Sequence, residues 1–176
     1  SSAASDVYKR QLVQQVNGEF AERFESRNLD LICILQPEPL LICADSRRIW
    51  RVLENLYVNV CKYAMPGTRV YVDAIKKDGK IQFSIKNISE NPLNFQADEL
   101  TERFIRGDVS RSTEGSGLGL SIAKNLTVLQ HGSFNIYLDG DLFKVTITFD
   151  EAVKEKKPMP LMIVPEAVQE EAQQDA

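Results

Sequence analysis

The pattern that most needs a chemical explanation lies between Asp45 and Ala64, where Asn55, Asn59 and Lys62 recur at helical spacing. At about 100° per residue these three share one face, while Ile49, Leu53, Leu56 and Val60 share another well away from it. A surface helix ordinarily fills such a stripe with Glu and Lys pairs. Two asparagines one turn apart lower helix propensity and gain no ion pair. An amide oxygen can ligate a hard cation such as Mg²⁺, directly or through water, and a lysine one turn further can neutralise phosphate. On the helix alone, a cation and phosphate site and a solvated polar face account for the stripe equally well.

A second candidate is Glu114-Gly-Ser-Gly-Leu-Gly-Leu120, which leads straight into a helical pattern ending near Gln130. Glycines ahead of a helix N-terminus let backbone N–H groups approach a phosphate, and the helix dipole favours the anion. A dinucleotide-binding fingerprint would need a strand just before the run and a βαβ unit around it; here a long polar segment precedes it. A P-loop would close on Gly-Lys-Ser or Gly-Lys-Thr, and neither occurs. A flexible loop is the remaining bland reading.

The elements that must position these residues read as follows. Leu12, Val16, Phe20 and Phe24 mark an amphipathic helix ending near Arg27-Asn28. Leu29 to Leu35 and Leu40 to Cys43 are strand-like runs around Pro37-Glu-Pro39. Asp45 offers an N-cap for the helix bearing the stripe, which Met65-Pro-Gly67 ends. Arg69 to Ile75 and Lys80 to Lys86 read as a hairpin around Lys77-Asp-Gly79, and Ser133 to Leu138 and Leu142 to Phe149 as another around Asp139-Gly140-Asp141. Between Asn87 and Gly117 the only periodicity is a short helical patch around Asp98 to Phe104. These elements predict a two-layer α/β sandwich, a mixed sheet of about five strands with helices on one face.

Composition narrows the function. A net charge of −4 and an isoelectric point near 5.2 exclude a nucleic-acid surface, which needs clustered Lys and Arg. No apolar stretch approaches the roughly 20 residues that span a bilayer, so no membrane contact is expected of this segment. Cys33, Cys43 and Cys61 lack metal-ligand spacing and sit in apolar runs, where packed, reduced thiols are expected. Residues 1–11 read as an artefact or disordered leader, since Asp6-Val-Tyr-Lys-Arg-Gln11 resembles the translation of a sequencing-library adapter. Residues 12–150 read as the domain, and residues 151–176, rich in Lys, Glu, Pro and Gln with one apolar patch at Leu161 to Val164, as a mostly disordered tail.

Taken in order, Arg51-Val-Leu-Glu-Asn-Leu-Tyr-Val-Asn-Val-Cys-Lys-Tyr63, Glu102-Arg-Phe-Ile-Arg-Gly-Asp-Val-Ser-Arg111 and Gly115-Ser-Gly-Leu-Gly-Leu-Ser-Ile-Ala-Lys124 resemble the N, F and G2 boxes of sensor histidine kinases. That superfamily also holds Hsp90-type chaperones, type II topoisomerases and mismatch-repair ATPases, and its Bergerat-type fold is the sandwich just described. The resemblance implies an ATP-binding catalytic domain that uses ATP and Mg²⁺. Residue by residue, it implies that Asn59 binds Mg²⁺ with Asn55 beside it, that Lys62 contacts the phosphates and that Tyr63 lines the pocket. Arg106 would approach the γ-phosphate from a lid hinged at Phe104. Gly115, Gly117, Leu118 and Gly119 would bring backbone amides to the phosphate chain. Hydrolysing superfamily members have a Glu where this chain has Asn55; a neutral amide takes no proton, so the phosphoryl group is kept for a histidine.

The departure is the G1 box, usually Asp-x-Gly-x-Gly, which here reads Asn87-Ile-Ser-Glu-Asn91. The Asn87 amide oxygen can still accept a hydrogen bond from the adenine amino group, without the charge. His131 is the single histidine and stands where a helix ends, a capping position. The phosphoacceptor is therefore expected on a dimerisation hairpin upstream, in a homodimeric parent that serves a response regulator. The resemblance further implies a cytoplasmic domain of a parent anchored in the bacterial plasma membrane. An anti-sigma-factor-type serine kinase and a non-catalytic nucleotide-binding or docking module are the alternatives.

Overall fold

The computed structural model of the chain describes residues 12–93, 118–152 and the backbone of 163–164. Helix α1 (Leu12–Ser26) buries Val13, Val16, Phe20 and Phe24, one stripe at helical spacing. Strands β1 (Asp30–Leu35) and β2 (Ile42–Cys43) precede helix α2 (Ser46–Tyr63). Asp45 caps α2, its side chain accepting from the N–H groups of Arg47 and Arg48 at 2.9 and 3.1 Å. Then come β3 (Arg69–Lys77), β4 (Lys80–Ile88), α3 (Gly119–Leu129), β5 (Ser133–Asp139), β6 (Leu142–Asp150) and β7 (Ile163–Val164).

Five strands form one sheet in the order β1-β3-β4-β6-β5. β1 pairs parallel with β3, and the other neighbours are antiparallel. The β3–β4 turn consists of Asp78 and Gly79, both left-handed at φ 53° and 72°, the mirror-image turn whose twist suits a hairpin. Register puts Val72, Ile85 and Val145 in one row and Ala74, Phe83 and Ile147 in the next. All six are buried under the helices. The opposite face carries Tyr71, Lys86 and Lys144, with the Lys86 ammonium 5.3 Å from the Tyr71 ring centre. The sheet is thus mixed and five-stranded with helices on one face, as the pattern predicted.

Tyr57 sets the register of α2. Its side chain is fully buried, its ring stacks on Phe24 at 5.7 Å and tilts against Phe20 at 5.4 Å, and its hydroxyl donates to Asn17 Oδ1. Burial pushes the phenol far above its ordinary pKa. A buried side chain of such size contributes about 1.5–3 kcal/mol. Together with Leu53, Leu56 and Val60 it fixes the apolar face of α2, so the Asn and Lys stripe must face elsewhere.

Two expectations change. Cys33 is exposed rather than packed, because β1 is an edge strand; Cys43 is half-buried and Cys61 buried. The Leu40 to Cys43 run leaves the main sheet, and within it Ile42 and Cys43 pair in parallel with Ile163 and Val164. A non-local pairing of that kind leaves no mark in local periodicity.

Helix α3 ends in a Schellman motif: Gly132 N–H reaches Thr127 O at 3.0 Å and His131 N–H reaches Val128 O at 3.0 Å. The left-handed position is held by His131, at φ 66°. Glycine adopts that conformation at a lower steric cost than histidine. His131→Gly should therefore raise stability by about 0.5–1 kcal/mol, read from denaturant midpoints. A loss of stability would show that the imidazole contributes more than the strain costs.

Candidate functional site

Helices α2 and α3 lie side by side in opposite directions. At one end the Asp45 N–H donates to Oε1 of the buried Gln130 at 2.8 Å, and Gln130 Nε2 in turn donates to Leu126 O at 3.1 Å. At the other end Gly119 faces the middle of α2, where a Cβ on it would stand 3.3 Å from Asn55 Oδ1. Asn55 is itself held, Nδ2 donating to Arg51 O at 2.7 Å. The N-terminus of α3 therefore opens level with Asn55 and faces along α2 toward Asn59 and Lys62, further along the same stripe.

That arrangement has a clear electrostatic character. The Leu118 N-cap provides no side-chain acceptor, so the first-turn N–H groups of α3 lack the usual cap. They carry the positive end of the helix dipole, and the exposed Lys62 belongs to the same stripe of α2 as Asn55. Asn55 and Asn59 are half-buried, Tyr63 is half-buried in the last turn of α2, and Glu54 is exposed off the stripe. Among the described residues no three His, Cys, Asp or Glu side chains gather into a metal cluster. A hard cation here would take one amide oxygen, such as that of Asn59, and draw its remaining ligands from water and phosphate, the usual pattern for Mg²⁺.

Asn87 lies near the end of β4, paired with Phe143 and 3% exposed. Its Oδ1 is buried without a hydrogen-bond partner among the described residues. Leaving a buried acceptor unpaired costs about 1–3 kcal/mol, a cost that a ligand N–H would remove. The strand end beside it is tied to the end of α2: Met65 N–H donates to Ile88 O at 2.8 Å and Glu90 N–H to Tyr63 O at 2.8 Å. Asn87 and Tyr63 thus belong to one connected region.

The structure brings Gly119, with Leu118 before it, against Asn55, places Asn59 and Lys62 further along the same stripe of α2, and ties Tyr63 to the segment after Asn87. Phe104, Arg106, Gly115, Gly117 and the helical patch at Asp98 to Phe104 lie outside the described residues. Sequence reasoning missed Gln130, which links the two helices; a glutamine at a helix end carries no pattern of its own. Cys61, on the same helix, is buried, and burial pushes its thiol pKa up despite Arg23 and Arg27 nearby.

Residues 44–153 match the family described as histidine kinase-, DNA gyrase B-, and HSP90-like ATPases, and the chain belongs to that family. Within it, the relatives are sensor histidine kinases. The signal transduction histidine-protein kinase BaeS of Escherichia coli is 31% identical over 69% of this chain, which spans only 26% of BaeS. The catalytic domain of histidine kinase ThkA superposes with a TM-score of 0.68 at 23% identity, covering 80% of this chain and 92% of that one. ThkA in complex with the response regulator protein TrrA gives 0.65 at 23% identity, covering 83% of this chain and 41% of that one. The domain is thus a histidine-kinase-type ATP-binding domain. No helix among the described residues is long and apolar enough to cross a membrane.

Proposed function

We propose that this domain binds ATP with Mg²⁺ and transfers the γ-phosphoryl group to a histidine on a dimerisation hairpin elsewhere in its parent kinase. The observation that carries the reading is the uncapped N-terminus of α3 opening beside the Asn55, Asn59 and Lys62 stripe. Asn59 ligates the metal with Asn55 beside it, Lys62 and the amides at Gly115, Gly117, Leu118 and Gly119 hold the phosphates, and Arg106 meets the γ-phosphate. Mg²⁺, held there by Asn59, would supply charge neutralisation for the phosphates. Tyr63 lines the base end, where Asn87 Oδ1 accepts from the adenine amino group. Asn55, a neutral amide, activates no water, so the phosphoryl group survives for the histidine. The ThkA complex with TrrA supports a response regulator as the next acceptor. In this reading the domain is the cytoplasmic part of a homodimeric bacterial parent anchored in the plasma membrane.

Incubated with γ-labelled ATP and Mg²⁺, this chain should incorporate no acid-labile phosphate. Mixed with the parent's hairpin it should label that hairpin's histidine, slowly, because the effective concentration that tethering provides is lost. Labelling of the isolated chain at His131 would overturn this division of roles. Tight ATP binding with no transfer to a competent hairpin would favour a non-catalytic nucleotide-binding module.

A further inference from the structure

The last turn of α2 presents carbonyls that need partners, as every helix C-terminus does. Val60 O accepts from Ala64 N–H at 2.9 Å and Tyr63 O from Glu90 N–H at 2.8 Å. Two more are met by one distant side chain: Arg27 Nε donates to Cys61 O at 2.9 Å and Arg27 Nη2 to Ala64 O at 3.1 Å. The same Nη2 lies 3.4 Å from the Glu90 carboxylate. A guanidinium here also sits at the negative end of the α2 dipole.

The base of that side chain is itself fixed. Arg27 is the last residue before the left-handed Asn28, at φ 54°, and α1 ends in its own Schellman motif. Leu29 N–H reaches Phe24 O at 2.8 Å and Asn28 N–H reaches Glu25 O at 2.9 Å. A rigid planar fork from α1 therefore spans the end of α2 and the segment that follows Asn87.

We infer that Arg27 is a positioning residue for the base end of the nucleotide pocket. It holds Tyr63, in the last turn of α2, in register with Ser89 and Glu90, just beyond Asn87. Ser89 and Asn91 stand where the glycines of the usual G1 pattern would otherwise shape the pocket wall; the bonds of Arg27 to Cys61 O, Ala64 O and the Glu90 carboxylate hold that wall in their place. Arg27 lies at the opposite end of the stripe from the α3 N-terminus, so its influence falls on the base rather than on the phosphate chain. The proposal rests on the ATP-binding reading above.

Binding of ADP and of inorganic tripolyphosphate to the full chain separates the possibilities, at a temperature where circular dichroism shows each variant folded. Arg27→Gln should raise the Kd for ADP about tenfold and leave tripolyphosphate within about twofold. Arg27→Lys, which keeps the charge but not the fork, should fall between Arg27→Gln and wild type, and Glu90→Gln should produce a smaller loss for ADP alone. Equal losses for both ligands would mark Arg27 as a general structural clamp and overturn the proposal, as would wild-type ADP binding by Arg27→Gln. A wild-type chain that binds neither ligand would overturn the ATP-binding reading itself, and this proposal with it.

Discussion

Asn59→Ala should weaken Mg²⁺-dependent ATP binding by about 10- to 100-fold while changing Mg²⁺-free nucleotide binding by no more than about twofold. The asymmetry follows from what the residue offers. An amide oxygen is a ligand for a hard cation but a weak partner for a phosphate anion, so its loss should matter only when the metal is present. Loss of folding does not compete as an explanation. The register of α2 is fixed by Tyr57, Leu53, Leu56 and Val60, all buried on the other side, and alanine has the higher helix propensity. Titration calorimetry with ATP, in Mg²⁺ and in a chelator, reads both numbers from one protein preparation. Parallel losses in the two titrations would remove Asn59 from the metal site.

Gly132→Ala should destabilise the domain by about 1–3 kcal/mol, the larger of the two stability effects considered. Here the glycine is required by space. A Cβ at this position would stand 2.6 Å from Phe149 Cε1, 2.8 Å from its Cζ and 2.9 Å from Thr127 Cγ2. Phe149 is buried in the core and Thr127 is fully buried in α3, with its hydroxyl donating to Ala123 O at 2.7 Å. Relieving the clash requires one of these packed side chains to shift. The thermal midpoint should fall by several degrees, at about 2–4 °C per kcal/mol for a chain of this size. A midpoint within about 1 °C of wild type would show that the Phe149 ring shifts freely. The neighbouring His131→Gly change should move the midpoint the other way, which makes the pair a test of backbone conformation against steric room at adjacent residues.

Much of this architecture could be read from local sequence, because local rules decide it. The α1 stripe of Val16, Phe20 and Phe24, the Asp45 cap and the Asp78-Gly79 turn each depend on a few neighbouring residues, and each was found where the pattern put it. Legibility fails where the determinant is remote. The pairing of Ile42 with Ile163, the hydrogen bond from Asp45 to Gln130 and the capping of Cys61 and Ala64 by Arg27 join residues with no shared pattern. Cys33 looked buried because its neighbours are apolar, but a strand at the sheet edge has a partner on one side only. The candidate site lies between these cases. The Asn55, Asn59 and Lys62 stripe was visible as an oddity of helix composition, whereas its opposition to Gly119 needed the packed helices.

The antiparallel pairing of α2 and α3 also orders events in time. The β3–β4 and β5–β6 hairpins join immediate neighbours in the chain and close quickly, while the contacts of Asn55 with Gly119 and of Asp45 with Gln130 must close a long loop first. The α2–α3 pair, and with it the cradle proposed for the nucleotide, is therefore expected among the last parts of the molecule to form. A chain emerging during synthesis has no cradle until α3 has been made and has docked. For the same reason, bound ATP has little to grip in the folding transition state. It should act chiefly as a brake on unfolding, lengthening the lifetime of the folded domain without hastening its arrival.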